Sequence, residues 1–580
     1  MMNIKKFLED IFFIDPEKRY NFTLSDDVTN SGDRTKEENS DKSQDLDTSN
    51  SEKEIGTVKN IFPSIDVNLE YVKVKYNTMI SSDVVIREFD LTARNRQYKA
   101  FLLFIDGLVD TDLINNYVLK PLMMKNQANS FDSEQTHILS EAVTNNITVR
   151  KVKKFDIVNY ISNCLLPQNS LKKESEFSNI FSGVNSGNCA LFIDTLDIAF
   201  DIDVKGFKQR SIDSPNNEIV IRGPQEAFVE NIRTNTSLIR RIVNTENLVV
   251  ENIQVGKISK TSCSVCYLAD IANSDLVAEV KYRINNLGID SLLSSGQLEQ
   301  LIEETNKYSI PQILSTERPD KATKYLFEGR VVVLVNGNPY CLVMPATLVD
   351  FISSPEDTNL KFQFANFLKF LRLIAMAITL LLPAFYIAIT NFHQELIPTE
   401  LLFSILASRE NVPFPIIFEI LVMEISFELI REAGLRVPSP IGPTIGIVGA
   451  LVLGQAAVSA NIVSPILIIV VAITGIASFA IPDFSFGFHL RILRFIFLIL
   501  SFLSGFLGVG IGIFVYTTIL CSLKSFGVPY MIPFAPKTNS NGDGYFVSPI
   551  WQREKRPDYL NTKKVDSQKH ISMEWRYRKE

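Results

Sequence analysis

Between Asn411 and Ser464 an otherwise apolar stretch carries charge: Glu419, Glu424, Glu428, Arg431 and Glu432 lie in a run of Ile, Leu, Phe and Val. Pro413 and Pro415 break the chain just before this run, and Gly434 follows it, so the spacing predicts a helix between them. At about 100° per residue Glu424, Glu428 and Arg431 fall on one narrow face, while Glu419 lies well round the cylinder. A charged side chain facing lipid at mid-bilayer costs about 2.5–3.5 kcal/mol, so a helix with several of them does not span alone. Either it lies in the interface with its stripe in water, or it turns the stripe toward a protein-lined aqueous path or a partner subunit. In the second case Glu419, Glu424, Glu428, Arg431 and Glu432 are candidates for an ion path or its gate.

The elements that would position this stripe are apolar runs in a membrane domain over 358–524. Spans are expected at about 367–390, 441–460, 462–481 and 490–523, each long enough for about 30 Å of hydrocarbon. Lys369 and Arg372 sit near the entering end of the first, where they can snorkel. Gly442, Gly446, Gly449, Gly454, Ala456, Ala457 and Ala460 suit close helix packing, and Gly505, Gly508, Gly510 and Gly512 give the last span a thin face or a flexible point. Lys361, Lys369 and Arg372 on one flank, and Lys524, Lys537, Arg553, Lys555 and Arg556 on the other, put both ends in the cytoplasm. An even number of crossings follows, and four leave residues 398–432 as re-entrant or interfacial helices. That count strands Arg491 and Arg494 at the outer face. A fifth crossing through Glu424 would bring them inside but expel the basic tail.

Ahead of this domain, residues 1–56 form an acidic segment whose part from Ser25 to Glu54 has almost no large apolar side chains to offset ordering entropy, so disorder is expected. No secretory signal peptide is read at its start. From 57 to 357 the pattern is that of a soluble α/β region. Strand-like DVVIREFDL and KAFLLFIDGLV precede helix-like DLINNYVLKPLM, and a hairpin follows in NCALFIDTLDIAFDIDV. The order then repeats: helix-like PQEAFVENIRTNTSLIRRIV, strands LVVENIQVG and TSCSVCYLADIA, helices SDLVAEVKYRINNL and GQLEQLIEE, and a hairpin turning at Asn336-Gly337. Two similar subdomains are expected, 57–205 and 206–357, with a cytoplasmic tail over 525–580. The fold class is thus an α/β cytoplasmic region of two similar subdomains followed by an α-helical multi-pass membrane domain.

Composition narrows the chemistry. The net charge of -7 gives no phosphate-binding surface, so nucleic acid is not a partner. The six cysteines are scattered, and Cys263 and Cys266, although a CxxC, sit in a strand pattern that points them to opposite faces. The four histidines, at 137, 393, 489 and 570, pair with nothing at ligand spacing. No nucleotide loop, nucleophile elbow or strand-linked GxGxxG occurs, so neither an enzyme nor a cofactor or metal site is expected. Arg222, Arg233, Arg240 and Arg241 make a basic cluster around one predicted helix, readable as an anion site, an inter-subunit contact or a solvated face.

Several stretches together resemble a known family. SSDVVIREF, FIDGLVD with LKPLM, IVIRGPQEAFVENIRTNTSLIRRI, TERPDKATKYLFEGRVVVLVNGNP, SRENVPFPIIFEILVMEISFELIREAGLRVPSPIG, IVGALVLGQAAVSANIVSP and IASFAIPDFS are similar to the A subunit of GerA-type nutrient germinant receptors of endospore-forming bacteria. The resemblance runs from about Asn68 to Pro536. It implies a receptor subunit of the spore inner membrane, forming a homo-oligomer and working with a transporter-like B subunit and a lipoprotein C subunit. On the same basis it couples nutrient binding to ion movement and so starts germination. A non-conducting scaffold that assembles the receptor is the other reading.

Overall fold

The structure is a computed structural model that describes residues 59–93, 96–123, 157–167, 170–206, 214–215, 217–436, 454–538 and 545–568. The acidic segment 1–56, most of the expected span 441–460 and the end of the tail lie outside the described residues.

Runs rich in Val, Ile, Leu and Phe form two five-stranded antiparallel sheets. The first comprises β1 (Val84–Ala93), β2 (Arg96–Ile105), β3 (Leu171–Glu174), β4 (Asn188–Ile193) and β5 (Ala199–Asp203), in the order β1-β2-β4-β5-β3. The second comprises β6 (Leu248–Val255), β7 (Thr261–Leu268), β8 (Leu314–Thr316), β9 (Val331–Val335) and β10 (Cys341–Met344), in the order β6-β7-β9-β10-β8. Position for position the two orders are the same. Each sheet is apolar on both faces, because helices cover both. In the first, α1 (Ile65–Lys75) and α2 (Phe177–Asn185) pack on Phe101, Leu103 and Phe192, while helical turns at Ile114–Leu119 and Ile161–Leu165 cover Leu102, Leu191 and Ile202.

In the second sheet α3 (Ile232–Ile242) and α6 (Pro319–Glu328) lie on one face, α4 (Ser274–Asn285) and α5 (Ser295–Ile302) on the other. Cys263 and Cys266 accordingly enter different cores. The predicted helix from Pro224 begins only at Ile232. Asn231 caps it by accepting from the amides of Arg233 and Thr234, and the residues before it run extended, with Phe228 N bonded to Glu317 O. Strand β8 and helix α6 were not anticipated from the pattern.

One face of the second sheet continues into a helical bundle. Its core includes Phe351, Phe486, Leu490, Leu520, Leu523 and Tyr530, so the bundle has a proximal end against this sheet and a distal end away from it. Helix α7 (Phe362–Phe392) leaves the proximal end, where Arg372 pairs with Asp357 at 2.6 Å, and reaches the distal end at Phe392. Helix α8 (Thr399–Arg409) stays near the distal end. Helix α9 (Ile416–Arg436) then returns: Ile416 and Ile420 pack with Ile387 and Leu498, and Arg431 reaches Ser478 near the proximal end. The 21 residues of α9 thus run back along the bundle from its distal end toward the second sheet, within the stretch 398–432 expected as re-entrant or interfacial helices. The chain is distal again at Val463, and α10 (Pro465–Phe479) brings it back.

The last element, α11 (Phe484–Ser522), is not the single long span expected over 490–523. At Gly505, φ is 58° and ψ -139°, and the helix folds back on itself there. Its outward limb ends against Phe392, and its return limb brings Tyr516 beside His489 at 3.1 Å. The reversal requires glycine, because a Cβ there would sit 3.0 Å from Phe392 Cβ in a backbone region closed to L side chains. The tail is also structured. Tyr530 is fully buried between Phe351 and the bundle, Tyr545 donates to the Lys369 carbonyl, and Lys563 N bonds Ile271 O. Both ends of the bundle domain therefore meet the second sheet.

Candidate functional site

Of the charged residues of α9, Glu419 and Glu424 are buried inside the bundle, Glu428 and Arg431 are partly exposed and Glu432 is exposed. At its distal end Glu419 accepts from Arg409 Nη2 at 3.0 Å and from the Ser464 amide at 3.2 Å. Pro413 and Pro415 lie in the turn between α8 and α9. The Pro415 carbonyl accepts from the Phe418 and Glu419 amides, which starts the helix and aims Glu419 inward.

Midway along, Glu424 Oε2 lies 2.7 Å from Arg494 Nη2, and both residues have 0% exposure. The same nitrogen donates to Glu428 Oε1 at 3.2 Å. Glu428, 28% exposed, also pairs with Arg431 at 3.4 Å. Arg431 donates to Ser478 Oγ at 2.9 Å and its guanidinium rests over the rings of Phe427 and Phe479. Gly475 makes room for Phe427, whose ring would meet a Cβ there at 2.5 Å. Glu432 is exposed.

The helical face expected for Glu424, Glu428 and Arg431 thus forms one cluster, and Glu419 belongs to a separate one. Sequence reasoning missed the counter-charges. Arg494, Arg409, Ser464 and Ser478 come from other segments, and only the misplacement of Arg491 and Arg494 in a four-crossing count signalled them. With α9 running back toward the second sheet and α11 folding double, Arg436 and the tail lie toward the α/β region, while Arg494 sits midway along the bundle.

The basic cluster engages carboxylates of its own chain. Arg240 is buried and forks onto Asp83 at 2.7 and 2.8 Å and Ser81 at 3.3 Å, Arg233 pairs with Asp106, and Arg241 pairs with Glu226. Each of these three arginines pairs with a carboxylate of the same chain, two of them across the junction between the sheets. Arg222 is exposed. At the foot of α7 a cavity of about 50 Å³ is lined by Arg330, Asp350, Asp357, Lys369, Arg553 and Tyr559. Burial opposes ionisation of Asp350, yet Arg330, 2.6 Å away, holds it below the usual carboxylate range. Among the described residues no group of three His, Cys, Asp or Glu side chains could hold a metal ion.

Fold and site define a class: twin antiparallel α/β layers seated on an apolar helical bundle that carries paired charges. The chain belongs to the family described as Bacillus/Clostridium GerA spore germination protein, whose sequence model matches residues 70–559. That match extends past Pro536 into the packed tail. Spore germination protein KA of Bacillus subtilis (strain 168) is 39% identical over 502 residues, covering 86% of this chain and 87% of that one. Spore germination protein A1 of the same organism is 43% identical over 384 residues, 66% of this chain and 80% of its own. Uncharacterized membrane protein YfkQ, also of Bacillus subtilis (strain 168), is 35% identical over 498 residues, 86% of this chain and 91% of its own. Among solved structures, the N-terminal domain of the A subunit of the Bacillus megaterium spore germinant receptor GerK3 aligns with a TM-score of 0.35 and 29% identity, covering 50% of this chain and 99% of that one.

Proposed function

We propose that this chain is the A-type membrane subunit of a nutrient germinant receptor and couples nutrient sensing to ion release as an oligomeric, gated cation-conducting subunit. The observation that carries the reading is the Glu424–Arg494–Glu428 cluster, buried in a bundle of apolar helices whose core is continuous with the α/β region. Ionised groups in such a setting mark a path or a switch far more often than a fold requirement. Both α7 and α11 are long and apolar enough to cross a membrane, at 31 and 39 residues. Each limb of α11 and the whole of α9 supports a further crossing. Both ends of the bundle domain meet the second sheet, so an even number of crossings keeps the α/β region and the tail on one side, the cytoplasmic core side of the spore inner membrane. A transporter-like B subunit and a lipoprotein C subunit complete the receptor, with nutrient choice lying largely in the B subunit.

The test is cation flux from liposomes holding the purified subunit, with and without its partners and candidate nutrients. Nutrient-dependent flux is expected from the assembled receptor. One observation favours the alternative of a non-conducting scaffold: Glu419, Glu424 and Glu428 are each paired with an arginine of their own chain. An assembled complex that passes no cation under any condition would establish that alternative.

A further inference from the structure

Arg494 is shared by two carboxylates through one atom. Its Nη2 lies 2.7 Å from Glu424 and 3.2 Å from Glu428, so those carboxylates are at most about 6 Å apart. Among the described residues Glu424 has no other ion pair, whereas Glu428 has a second partner in Arg431. Arg431 is itself held by Ser478 and two aromatic rings. The central contact is also poorly satisfied for one so deeply buried. Neither oxygen of Glu424 accepts a well-aligned hydrogen bond, and Nε and Nη1 of Arg494 find no partner among the described residues. A buried charge pair kept for stability normally saturates its donors and acceptors.

We propose that Glu424 and Glu428 form a monovalent-cation site, and that Arg494 occupies it at rest as a tethered counter-ion which must leave before a cation can pass. This rests on the conducting reading above. The exchange conserves charge, one guanidinium for one cation. Two carboxylates without a third protein ligand suit a singly charged, weakly held ion better than a divalent one. The second state is built in. Glu428 lies one turn along α9 and is partly exposed, so a shift of the guanidinium onto Glu428 alone is a first step that bares Glu424, and its release from Glu428 then completes the exchange.

The test uses the receptor complex in potassium-loaded liposomes. Arg494→Gln removes the tethered charge and is expected to raise nutrient-independent potassium efflux at least about tenfold over the unsubstituted complex. Glu424→Gln with Arg494→Gln removes the site as well and is expected to bring efflux back to baseline with no nutrient response. Arg494→Lys keeps the charge on a differently shaped head and is expected to leak at an intermediate rate; it carries the test should Arg494→Gln not accumulate. An Arg494 variant that assembles, stays sealed without nutrient and responds normally to it overturns the counter-ion role while leaving the conducting reading intact. Absence of flux from the unsubstituted assembled complex overturns both.

Discussion

His489 Nε2 lies 3.1 Å from the Tyr516 hydroxyl although 27 positions of one helix separate them. In a straight helix that distance would be about 40 Å. The contact is possible because α11 reverses at Gly505, and it fixes both ends of the element at the second sheet.

The reversal makes the glycines of α11 unequal. Gly505→Ala forces a Cβ into a disallowed backbone region and against Phe392, with an expected loss of at least about 1–2 kcal/mol. Gly508→Ala is also expected to destabilise, since its Cβ would collide with the Leu500 carbonyl. Gly510, with nothing within 4 Å of a Cβ, should accept alanine without loss. Thermal unfolding of the purified chain in detergent ranks the three; equal midpoints for all would contradict the hairpin.

The tail acts as part of the core. Tyr530 is completely buried, packs its ring at a tilt against Phe351, and its carbonyl accepts from the Leu348 amide. Tyr530→Ala is expected to cost about 3–5 kcal/mol, the range for deleting a buried aromatic ring. Hydrogen exchange should then quicken in β9, β10 and the base of α11 while the first sheet stays protected.

Arg240 and Asp83 clasp the two sheets. Removing either partner strands a buried charge, so Arg240→Ala should cost about 3–5 kcal/mol. Limited proteolysis of the full chain reads this as faster cleavage between the sheets. Arg222→Ala, at an exposed position, is the matched change expected to alter nothing.

Glu299 and Glu303 give the α/β region a pH dependence. Burial, then the neighbouring Glu303 and Asp483, push Glu299 up to about 8, and burial pushes Glu303 up to about 7 despite a hydrogen bond from Gln312 N. Between the ordinary carboxylate value of 4.5 and these values the folded form holds protons that the unfolded chain has released, so stability falls as pH rises through that window. Glu299→Gln with Glu303→Gln should flatten the dependence of the unfolding midpoint between about pH 5 and pH 8. An unchanged slope would show that these groups do not carry it.

Much of this was legible because it is local. Alternating apolar residues in LVVENIQV and TSCSVCYL specify strands whatever surrounds them, the Asn336-Gly337 pair specifies its turn, and α7 is too long and apolar to mistake. Segment 224–231 misled because its apolar spacing suits a helix, and only the Asn231 cap shows where the helix begins. The reversal at Gly505 was equally hidden, since a glycine in an apolar helix reads the same whether it packs, flexes or turns the chain.

The sequence by itself determined that charge lies within apolar helices, which residues of α9 carry it, and that an α/β region repeats one plan, all properties of periodicity along the chain. Only the tertiary structure decided what that charge meets. Glu424 and Arg494 are 70 positions apart in the numbering, and whether a buried carboxylate faces lipid, water or a guanidinium depends on the helix packed beside it. Solvation and Coulomb energy act through space, so the pairing at the centre of the site appears only once α9 and α11 are side by side.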